Sequence, residues 1–254
     1  MQILTRGAQI TRLMIKKDAP KSYRFPVIGV THSCFKEKFG VPRQPGLASA
    51  ARAQIELFEP YDRSDAFDGL QCCSHIWLQF VFHLSLRDTW KPKVRPPRFG
   101  GNRTLGVFAT RSPVRPAPLG LSVVKLDAIH ECNSKIRLEV SGVDLVDGTP
   151  IVDIKPYVPY VDNISSASYS LADEQPEHCS VEFSAKAETQ LSTRTDTAQL
   201  RALIIQILQQ DPRPKYQKTD PERVYGMKLL DFDLQWRYLP RDANECIEVI
   251  ALIK

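Results

Sequence analysis

The amino-acid sequence predicts a mainly β protein, with an N-terminal antiparallel β-barrel followed by a small C-terminal α+β unit. Three observations carry this. Apolar residues alternate with a period of two along several short runs before residue 165. The chain holds 19 prolines and 12 glycines, and many of them punctuate those runs. Helical spacing appears only near residue 200. Many short strands favour closure, because a closed sheet has no unpaired edge.

The first strands expected are Phe25–Val30 and Gln54–Phe58, the latter closed by Pro60. His75–His83 puts Ile76, Leu78, Phe80 and Phe82 on one face and His75, Trp77, Gln79 and Val81 on the other. Leu105–Thr110, Ser122–Ile129 and Lys135–Val143 repeat the pattern. Residues 165–177 are polar and read as a linker. Beyond them Leu200, Leu203, Ile204, Ile207 and Leu208 predict a helix capped by Thr195 or Asp196 and stopped by Asp211-Pro212-Arg213-Pro214. Met227–Tyr238 and Cys246–Ile253 read as the two final strands. The division is therefore 1–22 as an N-terminal extension, 23–164 as the barrel, 165–177 as the linker and 178–254 as the C-terminal unit.

Of the 254 residues, 43% are hydrophobic and 25% charged, which predicts a packed core and excludes a disordered chain. No apolar run has the length of a membrane span, and Met1–Lys17 lacks the apolar region of a secretory signal. The six cysteines form no C-x-x-C pair, so they read as reduced thiols filling small core sites, in keeping with the cytoplasm. Cys72 and Cys73 are expected on opposite faces of a strand. The five histidines show no metal-ligand spacing, and no metal is expected. Net charge is +5, and Arg87, Lys91, Lys93, Arg95, Arg98, Arg103, Arg111 and Arg115 cluster against Asp88 alone. That excess suits either a polyanion or a solvated basic loop.

Glycine-rich phosphate loops, H-E-x-x-H and G-x-S-x-G are all absent. Three irregular segments remain. Lys38–Leu47 (KFGVPRQPGL) has two prolines and two glycines, which fix a backbone path, either to read a ligand or as a rigid surface turn. Gly106–Ser122 (GVFATRSPVRPAPLGLS) holds Arg111 and Arg115 in a turn stiffened by three prolines. Arginines on such a rigid loop suit a carboxylate or phosphate. Asp147–Asp162 (DGTPIVDIKPYVPYVD) places Asp153 and Lys155 on one face of a strand, followed by Tyr157 and Tyr160. This set suits either a nucleobase and a proton acceptor, or an ion pair with packing aromatics.

Together FGVPRQPGL, VRPPRFGGN, GVFATRSPVRPAPLG, DLVDGTPIVDIKPYVPY and DPRPKY resemble the bacterial TrmO-type tRNA methyltransferases, also called the TsaA-like or YaeB family. The resemblance runs from about Tyr23 to the C-terminus. It departs from the expected pattern at Val114, Ala117 and Leu119. It implies a cytoplasmic homodimer whose barrel binds S-adenosylmethionine without a Rossmann fold. It also implies methylation of N6 of threonylcarbamoyladenosine at position 37, beside the tRNA anticodon. The implied cofactor contacts are Pro45, Gly46 and Leu47; His83 and Leu84; Arg111 and Leu121; and Ser141, Gly142, Val143 and Asp144.

Asp153 and Tyr157 are the candidate proton acceptors, because a ureido nitrogen must lose its proton to attack. Arg43, Arg115 and Arg213 are candidates for the threonyl carboxylate, with Lys155, Arg95, Arg98 and Tyr216 as further RNA contacts. An exposed anticodon loop suits single-strand recognition by stacking. Three other readings compete: a methyltransferase for another RNA or a small molecule, a non-catalytic RNA-binding barrel, and a barrel that holds a small molecule without chemistry.

Overall fold

The computed structural model describes residues 22–96, 103–133, 135–171, 178–214, 217, 219–240 and 246–254. Arg98, Tyr216 and nearly all of the expected 1–22 extension lie outside the described residues.

Along the chain come β1 (Gly29–Ser33), β2 (Arg52–Leu57), β3 (His75–Val81), β4 (Lys93–Val94), β5 (Leu105–Gly106), β6 (Leu119–Cys132), β7 (Lys135–Ser141) and β8 (Thr149–Pro156). Six of these close into an antiparallel barrel in the order β1-β2-β7-β6-β3-β8, while β4 and β5 form a separate two-stranded ribbon. Period-two burial is clean on β3 and β7, where Ile76, Leu78, Phe80, Ile136, Leu138 and Val140 point inward. Ile55, Val124 and Ile151 complete the interior from β2, β6 and β8.

The first strand departs from expectation. Tyr23, Phe25 and Val27 are exposed, and pairing begins at Gly29. The inward residues of β1 are Gly29, Thr31 and Ser33, so the apolar alternation that reveals a strand is missing where the strand is. A side chain at Gly29 would come within 2.4 Å of the Glu56 carbonyl oxygen. The predicted strand at Leu105–Thr110 also shortens to two residues, followed by a 3-10 turn over Val107–Ala109 in which the Thr110 hydroxyl donates to the Val107 carbonyl. Cys72 ends a 3-10 turn over Leu70–Cys72 and is not on a strand. Cys34 and Cys246 are buried, Cys72 and Cys132 are exposed, and none is paired in a disulfide.

A one-turn helix α1 (Pro159–Asp162) follows the barrel. The C-terminal unit then contains β9 (Ser180–Phe183), α2 (Ala185–Ser192), α3 (Thr197–Leu208), β10 (Tyr225–Leu229), β11 (Phe232–Leu239) and β12 (Cys246–Ile253). Its sheet order is β10-β11-β12-β9, with the last pair parallel. The helix expected near residue 200 is α3, which buries all five predicted apolar residues. Asp196 is its N-cap, but its carboxylate is held by Arg194 and not by the helix amides. The single strand expected over Met227–Tyr238 is a hairpin, split at Leu230, which takes a φ of 54°. Helix α2 and strand β9 were not anticipated. Ser184 caps α2 by accepting from the Ala187 amide, a signal present in the sequence and weakened by the short amphipathic run behind it.

The two units share one core. Phe35 bridges to Val146 of the barrel and to Leu229 of β10. Phe39 stacks on Trp236 with ring centres 5.8 Å apart. Gly120 of β6 lies across from Phe80 of β3, and an added methyl there would fall 2.2 Å from the ring. Gly120→Ala should therefore cost about 1–3 kcal/mol by overpacking. Urea denaturation should recover much of that loss in the double variant with Phe80→Leu, and additive losses would rule the clash out.

Candidate active site

One end of the barrel opens into a cavity of about 760 Å³. Its lining comes from four stretches distant in sequence: the 38–45 segment, the end of β3 with the turn after it, the proline-rich turn with β6, and residues 144–149. Each is tied to another. The Lys38 ammonium donates to the Leu84 carbonyl at 3.1 Å. The Phe82 amide donates to the Pro118 carbonyl at 2.8 Å. Arg111 donates to the side-chain oxygen of Gln44. Arg115 is half-buried and donates to the Thr110 carbonyl at 3.2 Å, which folds the proline-locked turn back on itself.

Beside this cavity, Gly46 and Gly142 join two loops by backbone contact. The Gly46 amide donates to the Gly142 carbonyl at 2.8 Å. Their φ values are 79° and 76°, a region that glycine alone adopts freely. Asp144 follows two residues later and lines the cavity. Its carboxylate accepts from the Ser122 hydroxyl at 2.6 Å. Withdrawal from water pushes the Asp144 carboxyl up to about 6, against the opposing pull of Ser122 and the Arg111 charge.

Of the expected cofactor contacts, Pro45, His83, Leu84, Arg111, Leu121 and Asp144 line this cavity. Gly46, Ser141 and Gly142 line an adjoining cleft of about 680 Å³, which meets the first at Val123. Val143 is buried in the core and Leu47 is half-buried, and neither lines the cavity or the cleft. Arg43 and Arg115 border the cavity, and Arg95 is exposed on the ribbon side.

Asp153 and Lys155 form an ion pair at 2.6 Å on the outer face of β8, outside the cavity lining. The register sets Asp153 beside Gln79, and Gln79 beside Leu121. Tyr157 packs on Trp77, which does line the cavity, with ring centres 5.9 Å apart. Arg213 turns inward: it is 6% exposed, pairs with Asp211 at 3.0 Å and stacks on Tyr238 at 4.0 Å. Ser122, Gln44 and Lys38 were missed, because none carries a signal until folding places it.

The lining fits S-adenosylmethionine. Asp144 faces the site as an anion for the positively charged part of the donor, Arg111 offers a cation for its carboxylate, and Leu84, Leu119 and Leu121 provide apolar surface for a base. The volume lies in the usual range for small-molecule sites. Among the described residues, no group of three or more His, Cys, Asp or Glu is placed to hold a metal ion. No described helix is long and apolar enough to cross a membrane.

A non-Rossmann β-barrel with a rim cavity whose size and lining suit S-adenosylmethionine defines a class of methyltransferase dependent on that donor. The family model for the tRNA-methyltransferase O N-terminal domain matches residues 30–163, and that for the TrmO C-terminal domain matches residues 176–254. The chain belongs to the TrmO family.

The tRNA (adenine(37)-N6)-methyltransferase of Escherichia coli is 46% identical over 234 residues, covering 91% of this chain and 98% of that protein. A Pseudomonas aeruginosa protein, provisionally assigned as an S-adenosylmethionine-dependent methyltransferase, is 48% identical over 224 residues, covering 87% of this chain and 95% of its own. The crystal structure of TrmO from Pseudomonas aeruginosa superposes with a TM-score of 0.74 at 40% identity, covering 92% of this chain and 99% of that one.

The position of Arg213 makes a prediction about stability. Arg213→Ala leaves Asp211 without its buried partner and uncovers the Tyr238 ring. It should cost about 3–5 kcal/mol, read as a lower denaturation midpoint. A variant as stable as the parent would show that the guanidinium has no structural role.

Proposed function

We propose that this enzyme methylates N6 of threonylcarbamoyladenosine at tRNA position 37, beside the anticodon. The observation that carries the reading is the rim cavity, where Asp144, Arg111 and the exposed leucines of β6 meet next to a basic proline-locked turn. Pro45, Gly46, Leu47, His83 and Leu84 would hold the donor from one side, and Ser141, Gly142, Val143 and Asp144 from the other. When bound, the cofactor supplies an electrophilic methyl group on a sulfonium.

The chain's own task is then to orient and deprotonate the nitrogen. In threonylcarbamoyladenosine N6 is part of a urea, so its lone pair is delocalised until the proton leaves. Asp153 and Tyr157 are the proposed acceptors. Asp153 sits two interstrand spacings from Leu121, about 10 Å away, across Gln79. With Arg213 turned inward, the threonyl carboxylate falls to Arg43 or Arg115, both at the cavity. Arg95 and Lys155 are exposed and suit phosphates, so RNA binding should weaken steeply with salt. Arg98 and Tyr216 are proposed as further RNA contacts.

The enzyme is proposed to work as a homodimer in the cytoplasm. Apolar surface outside the cavity lining supports the dimer, since Leu86, Trp90 and Phe108 are exposed, Phe108 at 73%. Phe108→Asp should convert a sedimenting dimer into a monomer. Unchanged sedimentation would remove this surface as the interface.

Two measurements test the reaction. Nucleosides from tRNA of cells lacking the protein should contain threonylcarbamoyladenosine without its N6-methyl form, and the wild-type gene should restore the methylated form. Purified enzyme should methylate modified tRNA and leave a transcript with plain adenosine unmethylated. Equal activity on both would overturn the substrate assignment.

The raised Asp144 pKa predicts a pH response. The carboxylate is ionised above about pH 6, so the match to the donor's positive charge is present there and is lost as pH falls through that value. Calorimetry should show donor affinity falling about tenfold per pH unit below 6, and Asp144→Asn should flatten the profile. A wild-type profile that is already flat would exclude Asp144 from donor binding.

A further inference from the structure

The turn that carries Pro45, Gly46 and Leu47 belongs to the barrel by sequence, yet much of its hydrogen bonding comes from the C-terminal unit. Within the barrel, the Gly46 amide reaches Gly142 and the Ala51 amide reaches Ala48. The groups between are held by Gln206 of α3 and by Gln210 in the turn that follows it. The Gln206 side-chain oxygen accepts from the Ala50 amide at 2.8 Å, and its nitrogen donates to the Ser49 hydroxyl at 3.1 Å. The Gln210 side-chain nitrogen donates to the Leu47 carbonyl at 2.9 Å and to the Gln206 carbonyl at 2.7 Å. At the near end of the turn, the Arg43 guanidinium donates to the carbonyls of Asp211 and Arg213 at 3.2 and 3.3 Å.

Gln206 lies on α3, and Gln210 lies in the turn just beyond its C-terminal end, with its side chain reaching back to the Gln206 carbonyl. The five apolar residues Leu200, Leu203, Ile204, Ile207 and Leu208 are buried in the core. A polar helix face is ordinarily left to solvent. Here it meets backbone groups that a non-regular turn cannot pair for itself. The primary amide suits this task because it carries a donor and an acceptor on one planar group.

We propose that Gln206 and Gln210 are positioning residues for the methyl-donor site, so that the C-terminal unit sets donor affinity as well as meeting RNA. This rests on the reading of the Pro45–Leu47 turn as a wall of that site. Without the two amides, Leu47, Ser49 and Ala50 lose their fixed partners, and the turn must be ordered at the moment of binding. That ordering is charged against donor affinity and not against the chemical step.

The binding measurements use the full chain without RNA, and the turnover assays add the tRNA substrate. Gln206→Leu with Gln210→Leu should weaken S-adenosylmethionine binding about tenfold by calorimetry. In turnover assays the donor KM should rise more than kcat falls. Gln206→Glu keeps the acceptor facing Ala50 and can accept from Ser49, so it should bind the donor nearly as well as the parent. Should the double variant not fold, Gln210→Leu alone is measured in the same way and should still weaken binding severalfold. Unchanged donor affinity in the folded variants, or a fall in kcat at constant KM, would overturn the proposal. Arg111→Ala separates the two readings. If it also binds the donor normally, the assignment of the cavity itself fails; if it binds weakly while the glutamine variants do not, only the positioning role fails.

Discussion

The contact on which the site depends is the backbone junction of Gly46 and Gly142. It joins a loop between β1 and β2 to the end of β7, nearly a hundred residues further along the chain. Both residues hold a positive φ, and a methyl group on Gly142 would come 3.5 Å from the Gly46 Cα. That contact is an ordinary one, so it is the positive φ at both positions, and not a lack of space, that calls for glycine. With the loops in contact, Gln44 meets Arg111 and Asp144 faces the cavity. Four segments that are rigid one by one thus become a single surface.

A barrel rim poses a different problem from the parallel α/β sheets that usually bind such donors. There a glycine-rich loop leads into a helix whose free amides point at the ligand. Among the described residues no α-helix contributes to the cavity lining, and Gln206 of α3 with Gln210 just after it grips the Leu47–Ala50 turn. Recognition therefore falls on irregular backbone, which must be stiffened by other means. Prolines at 113, 116 and 118 and the Arg115 bond to Thr110 stiffen one loop, and Gln206 and Gln210 hold another.

Much of this was legible in the sequence wherever one face of an element is apolar. The strand His75–Val81 and helix α3 bury the residues their periodicity predicts. The pattern failed at β1, because its inward positions are Gly29, Thr31 and Ser33. It failed again at Leu105–Thr110, where Val107 is buried by a 3-10 turn and not by a pleat. The proline-rich segments were recognisable as constrained, and of the expected cofactor contacts all but Leu47 and Val143 line the cavity or its neighbouring cleft. What each arginine faces was not legible. Arg111 and Arg213 both sit beside prolines in rigid turns, yet Arg111 is exposed at the cavity and Arg213 is 6% exposed under Tyr238. Composition cannot separate them, because the difference lies in whether a buried aromatic and a carboxylate wait on the inner side.

That contrast bears on how the two units cooperate. Arg213 pairs with Asp211, whose own φ is 48° and whose carboxylate also accepts from the Tyr238 hydroxyl at 2.8 Å. The loop after α3 is thereby locked to β11, and its carbonyls are presented outward at a fixed place. Arg43 uses those carbonyls, so its guanidinium is oriented by the C-terminal unit while its backbone lies in the cofactor turn. A charge buried in one unit thus determines where a charge at the rim of the other can point. The turn over residues 43–50 and the C-terminal loop are joined by these bonds, and neither reaches its geometry from its own sequence alone.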